Sequence, residues 1–229
     1  ENIPCTIIMP KNASPAKISA TRGYGANVIL EGLTYDESWA HAQKISHETG
    51  ATIIHAFDDP HIISGQGVIG LEILEQLPDV DEIYVPIGGG GLISGVSMAV
   101  KSVKPNVRVI GIESSGAPAM KKSVEAGHLI TLDEVSCIID GLRVKTVGVN
   151  TRSVVSRFVD EIVTIPDKQI FDALLWVMAR AKHVTEGAAA ATVGALLQGL
   201  IAASPGTKDS DVQSGGNLDV DMLSGLDWN

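Results

Sequence analysis

Aromatic residues make up only 4% of this 229-residue chain, and cysteine occurs twice, at Cys5 and Cys137. The two thiols are far apart and outside any metal-ligand spacing, so each reads as a buried free cysteine. Basic residues are also scarce: 17 Lys and Arg stand against 27 Asp and Glu, a formal charge of −10. Nucleic acid is thereby excluded as a partner, because phosphate contacts need clustered basic side chains. No apolar run reaches the ~18 residues of a membrane span. No secretory leader is visible, so a reducing cytoplasm with no membrane partner is the expectation. The six histidines are scattered, with no H-x-x-x-H pair and no Cys/His cluster, which removes zinc. No G-x-S-x-G elbow is present, so acyl transfer has no support.

What remains is a chain with 45% hydrophobic residues, rich in Ala, Val, Ile and Gly. That composition suits an α/β protein, in which Val/Ile-rich strands are covered by helices on both faces. "IPCTIIMP" reads as a buried strand closed by Pro10. "SPAKISATRGYG" reads as a helix with Ser14 at the N-cap and Pro15 in the first turn. "ANVILEG" is a second strand, residues 35–49 a helix, and "ATIIHAF" a third strand. This alternation predicts parallel pairing. A helix is expected from Gly67 to Leu77, a strand over "DEIYVPI", a helix over 92–102, a strand at "VRVIGIES" and another at "VDEIVTIP". Helices are then expected over 168–182 and 187–202. A boundary between Asp58 and Gly67 divides a small αβ domain, 1–58, from a large one, 59–229.

Four glycines, Gly88 to Gly91, lie between a strand and a helix in "VPIGGGGLISG". Bare backbone in that position lets several N–H groups converge on an anion, with the positive end of the following helix behind them. The alternative is a flexible or tightly packed turn. Gly88, Gly90, Gly91 and Gly95 do not fit the dinucleotide fingerprint, although Glu113 does end the next strand. Leu92 and Ile93 stand where a P-loop needs Lys and Ser/Thr. A small phosphorylated cofactor held at the carboxyl edge of the strands is therefore the better fit.

With "SGQGVIGLEIL" before it and "EGAAAAT" and "SGGN" after it, this loop resembles the threonine dehydratase and serine racemase family of fold-type II pyridoxal-phosphate enzymes. The resemblance runs from Ile3 to about Asp219. It implies parallel twisted sheets flanked by helices, as in the tryptophan synthase β subunit. It implies pyridoxal 5′-phosphate, with the cofactor phosphate held by Gly88, Gly89, Gly90, Gly91 and Leu92. It assigns Ser214 of "SGGN" to the pyridine nitrogen, where a neutral hydroxyl favours β-elimination; read from the residues alone, Ser214 is part of a Gly-rich surface loop. It matches Glu186 to an acid near the cofactor, while a carboxylate before an alanine-rich helix also satisfies the helix dipole. Glu113 and Ala117 match positions that supply a divalent-cation site in some members, but Ala119 stands where the third ligand, an Asp, is usual. Oxygen ligands are what Mg²⁺ or Ca²⁺ needs.

Two family motifs are absent from these 229 residues: the "SFKxRGA"-like segment with the Schiff-base lysine, and the "SSGNHGQ"-like segment that clamps the substrate carboxylate. Lysine is needed because its amine is the nucleophile toward the cofactor's carbonyl. The strand that delivers "SGGN" also looks short, with only Val212 and Gln213 between polar "KDSD" and Ser214. The reading is an N-terminally truncated or split ammonia-lyase for a small β-hydroxy amino acid, with a further copy of itself in a homo-oligomer or a complementing N-terminal polypeptide as its partner. A racemase of the same cofactor class and a non-catalytic phosphate-binding relative are the alternatives.

Overall fold

A computed structural model of the chain describes residues 3–202, 205–218 and 223. The chain divides into two compact units, one containing the residues up to Ile54 and the other running from His55 to Leu218. In the first, β1 (Thr6–Met9) pairs in parallel with β2 (Asn27–Leu30), Thr6 opposite Asn27 and Met9 opposite Leu30. Helix α1 (Pro15–Gly23) connects them, and α2 (Tyr35–Thr49) follows. Thr34 caps α2 by accepting from the Glu37 N–H at 3.3 Å. Gly50, at φ 71°, ends it in the left-handed conformation that glycine adopts without steric cost. The third strand expected at "ATIIHAF" does not form. Among the described residues, 51–57 join no ladder, and Ile53 and Ile54 are exposed despite their β-propensity. Cys5 is exposed too, contrary to the expectation of two buried thiols; Cys137 is buried, and burial pushes its pKa up to about 11.

The second unit is built on a four-stranded parallel sheet of order β5–β4–β3–β6. In chain order come α3 (Pro60–Gln76), β3 (Glu82–Pro86), α4 (Gly91–Val103), β4 (Arg108–Ser114), α5 (Ala119–Ala126), a 3₁₀ turn (Asp140–Leu142), α6 (Val149–Phe158), β5 (Glu161–Ile165), α7 (Asp167–Arg180), α8 (Gly187–Leu197) and β6 (Asp209–Asp211). From β3 to β5 the sheet grows in one direction. The chain then returns to place β6 on the other side of β3. Right-handed crossovers therefore put α4 to α6 on one face and α7 and α8 on the other. The packing agrees: α4 and α5 touch α6, while α8 lies across β3, β4 and β5 with α7 beside it. Ile83, Val85, Ile87, Val109, Ile112 and Ile165 form the fully buried centre.

Helix α3 starts at Pro60, seven residues before the expected Gly67. Asp59 accepts from the N–H groups of His61 (2.7 Å) and Ile62 (3.2 Å), and Pro60 occupies the first turn, where no N–H is missed. The glycines of "SGQGVIG" do not break this helix. Gly67 and Gly70 lie against Gly95 and Val96 of α4, so the two helices approach backbone to backbone. Two short helices, α5 and α6, were not anticipated. Strand β6 does form, and it is made of the polar residues themselves. Glu82 of β3 faces Asp209, and Tyr84 faces Asp211. The Tyr84 hydroxyl donates to Glu82 at 2.9 Å, and Arg108 ion-pairs with Glu82 and, at 3.0 Å, with Glu161. Oδ1 of both Asp209 and Asp211 is buried with no hydrogen-bond partner among the described residues.

Candidate functional site

Strands β3 and β6 are parallel neighbours, and ligands of such sheets bind beyond the carboxyl ends of the strands. The glycine loop leaves the end of β3. Residues Val212 to Gly216 leave the end of β6, after the Val212 N–H has donated to the Tyr84 carbonyl at 3.0 Å. The fold thus brings Gly88–Leu92 and Ser214 to one sheet edge.

The loop turns into α4 at Gly90, whose φ of 93° suits glycine; the Gly90 carbonyl accepts the Ser94 N–H at 3.0 Å. Each preceding position is crowded. The Gly141 carbonyl oxygen stands where a β-carbon on Gly88 would go, and a β-carbon on Gly89 would enter the Phe57 ring. Among the described residues no hydrogen bond takes the backbone N–H groups of Gly88, Gly89, Gly90, Gly91 or Leu92. Five donors without acceptors at the start of a helix, in half-buried or buried backbone, form a concentration of positive potential. The two readings of the glycines therefore combine: the loop is closely packed and also rich in donors.

The loop carbonyls face the other way. The Thr151 hydroxyl donates to the Gly89 carbonyl at 2.8 Å. Asp58 accepts from the N–H groups of Val149 and Thr151, both at 3.0 Å, and so caps α6 from ninety residues away. Phe57, Asp58, Gly141 and Thr151 were not singled out from the sequence. The "DG" at 140–141 and the doubled acid of "DDP" were the available signals, and both look like ordinary turn chemistry.

Glu186 stands at the N-cap of α8, yet its carboxylate accepts none of that helix's N–H groups. Its own N–H donates to the Gly215 carbonyl at 3.0 Å, and the Thr185 hydroxyl donates to the same oxygen at 3.0 Å. Glu186 Oε1 would lie 2.6 Å from a β-carbon on Gly215 and 3.9 Å from one on Gly141. Gly88, Gly141, Glu186 and Gly215 are therefore successive neighbours. Ser214, next to Gly215, is exposed.

Glu113 lies apart from this group. It is fully buried at the end of β4, where its two oxygens accept from the N–H groups of Met120 (2.7 Å) and Lys121 (3.0 Å) at the start of α5. Burial pushes its pKa up to about 7; the two N–H donors and Lys121 oppose that shift. Ala117 sits in the intervening turn, its N–H bonded to the Ser114 carbonyl at 3.0 Å and its carbonyl to the Ala119 N–H at 2.9 Å. Among the described residues no three His, Cys, Asp or Glu side chains are grouped to hold a metal. Glu113 caps the start of α5, whose Met120 methyl backs Gly90.

The family model described as pyridoxal-phosphate dependent enzyme matches residues 1–212. The L-threonine ammonia-lyase of Thermotoga maritima is 47% identical over 96% of this chain and 55% of its own length. Among solved structures, maize serine racemase superposes with a TM-score of 0.90 at 36% identity, covering 97% of this chain and 69% of that one. Threonine deaminase isoform 2 of Solanum lycopersicum superposes with a TM-score of 0.89 at 34% identity, covering 98% and 62%. The chain thus spans about half the length of the Thermotoga relative. The α/β fold, the donor-lined loop and these likenesses converge: the chain belongs to the pyridoxal-phosphate dependent enzyme family, in its threonine dehydratase and serine racemase branch.

Proposed function

We propose that this chain carries the phosphate cradle of a pyridoxal-phosphate-dependent ammonia-lyase that converts a β-hydroxy amino acid, threonine or serine, to a 2-oxo acid and ammonium. The observation that carries the reading is the set of five unbonded N–H groups from Gly88 to Leu92 at the N-terminus of α4. A phosphate dianion needs converging donors, and a helix start supplies them without a cation. The residues present fit that group. The cofactor, when bound, supplies the electron sink for loss of the substrate's α-proton.

The chain's own residues then have defined parts. The loop amides hold the anion beyond the carboxyl end of β3. Ser214, at the end of the neighbouring strand, is the hydroxyl this reading assigns to the ring nitrogen; as a neutral group it leaves that nitrogen largely unprotonated. Glu186 orders the Ser214 loop through its N–H bond to Gly215 and keeps a carboxylate beside Gly141 and Gly215. No lysine of these 229 residues is assigned to the Schiff base, so that amine comes, on this reading, from polypeptide outside them. The names of the relatives, L-threonine ammonia-lyase at 47% identity and threonine deaminase at 34%, support elimination as the reaction. Among the described residues no helix is long and apolar enough to cross a membrane.

The test uses the complete protein with pyridoxal phosphate. L-threonine and L-serine are supplied separately and 2-oxo acid release is followed, with D-amino acid formation assayed in parallel. Oxo acid as the main product is the expected result. Predominant D-amino acid would convert the reading to racemisation, and cofactor binding with neither product would reduce the chain to a binding module.

A further inference from the structure

We propose that Thr151, Asp58 and His55 form a brace that positions the glycine loop, with Thr151 setting the direction of the Gly89–Gly90 peptide. The inference rests on the phosphate-cradle reading above and assigns to that cradle three residues outside it.

A peptide unit is planar and trans, so its C=O and N–H point in opposite directions. Holding the Gly89 carbonyl toward Thr151 therefore aims the Gly90 N–H away from Thr151. Between glycines this peptide flips at little steric cost, so the loop itself does not choose the orientation. The Thr151 hydroxyl does. It accepts the Gly148 N–H at 3.1 Å, and its proton has the Gly89 carbonyl at 2.8 Å as the nearer acceptor, with the Gly148 carbonyl at 3.3 Å. The side chain is fully buried, which shields the bond from competing water.

Thr151 is in turn held by Asp58, which bonds its N–H and that of Val149. Asp58 is held by His55: Nδ1 accepts the N–H groups of Asp58 (2.8 Å) and Phe57 (3.1 Å). The Phe57 ring meets the His55 ring edge-on at 4.6 Å and occupies the place of a β-carbon on Gly89. The segment His55–Asp58 thus supports the loop through both a carboxylate and a ring. An imidazole that accepts at Nδ1 is neutral, with its proton on Nε2. Burial holds the His55 pKa below its ordinary value, and the facing charges, Asp58 and Asp59, oppose that shift. Protonating Nδ1 removes both acceptances together and frees Phe57 and Asp58.

The experiment compares the complete protein with Thr151→Val, which keeps the shape and loses the hydroxyl, and Thr151→Ser, which keeps the hydroxyl. Two quantities are measured: pyridoxal-phosphate affinity, and amide hydrogen exchange over residues 88–94, which include the Ser94–Gly90 bond. Loss of one buried hydrogen bond predicts roughly tenfold weaker affinity and roughly tenfold faster exchange in Thr151→Val, with both largely restored in Thr151→Ser. Wild-type affinity should fall as pH drops through the His55 titration. His55→Asn, which offers an amide oxygen in place of Nδ1 and does not titrate, should remove that fall. If Thr151→Val binds and exchanges like wild type, or if Thr151→Ser is no better than Thr151→Val, the brace is overturned. If exchange rises as predicted while wild type shows no affinity for pyridoxal phosphate, the brace stands and the phosphate reading fails.

Discussion

Substituting Gly95 and Gly65 by alanine tests the helix packing beneath the site, because the same chemical change should have opposite signs at the two positions. Gly65 is on the exposed side of α3 with nothing within 4 Å of a built β-carbon. There the alanine meets only water and lowers the entropy of the unfolded chain, a gain of about 0.5–1 kcal/mol. Gly95 faces α3. A β-carbon there would lie 2.6 Å from the Gly67 nitrogen and 2.7 Å from Gln66 Cβ, and closer still to the Ile63 carbonyl oxygen. Real β-carbons essentially never come within 3.0 Å of such atoms, so α3 and α4 must part by about 0.4 Å or more. Two of the three atoms are backbone and cannot rotate away. The cost belongs at the upper end of overpacking penalties, about 3 kcal/mol. For a unit the size of His55–Leu218, this corresponds to a Tm drop of about 6–12 °C. Circular-dichroism melts at matched concentration and cofactor saturation would read both values. A Gly95→Ala protein that melts with or above wild type would show that α3 and α4 do not approach as described.

Three further substitutions probe the sheet edge. Because the folded pKa of Glu113 is raised from 4.5 to about 7, the folded state holds a proton that the unfolded state releases in that window. Stability should therefore decline as pH rises from about 4.5 to 7, and a urea-denaturation series should show Glu113→Gln flattening the decline. Asp211 is also shifted up, by burial that Thr192 and Gln213 only partly offset, and one of its oxygens is orphaned. Asp211→Val should raise stability at pH 8 by about 1–3 kcal/mol, and an unchanged denaturation midpoint would contradict the burial. Gly88→Ala would drive a methyl into the Gly141 carbonyl. Equilibrium binding should show pyridoxal-phosphate affinity weakened by roughly tenfold or more, in line with about 1.4 kcal/mol or more of lost fit; equal affinity would place the anion elsewhere.

The parts of the fold legible from sequence were those whose signals are local. The strand–helix–strand start, the α2 limits and the glycine loop each come from capping residues and apolar runs that act on their neighbours. The start of α3 was obscured because Gly65 and Gly67 carry the weak-helix signal of a loop, whereas Gly67 is there for contact with α4, a reason visible only in three dimensions. The strand at "ATIIHAF" has the right β-formers, but a ladder needs a partner, and none of the described strands takes it. At the site, the donors were readable because bare backbone is itself the signal. Thr151 and Asp58 were not, since a threonine in a first turn and the first acid of an Asp-Asp-Pro run are ordinary in any loop. Their use depends on contacts across more than sixty residues of chain.

The polar composition of β6 bears on what the sheet can do beyond this chain. Among the described strands, the outermost on that side offers Asp209, Ser210 and Asp211 to any incoming backbone. A newcomer laying itself alongside would have to bring its own apolar side chains up to carboxylates each of which already has one oxygen without a partner among the described residues. The opposite border, Glu161–Ile165, is richer in β-branched residues and has no such guard. Unwanted strand addition, in a concentrated or partly unfolded preparation, should therefore begin at β5.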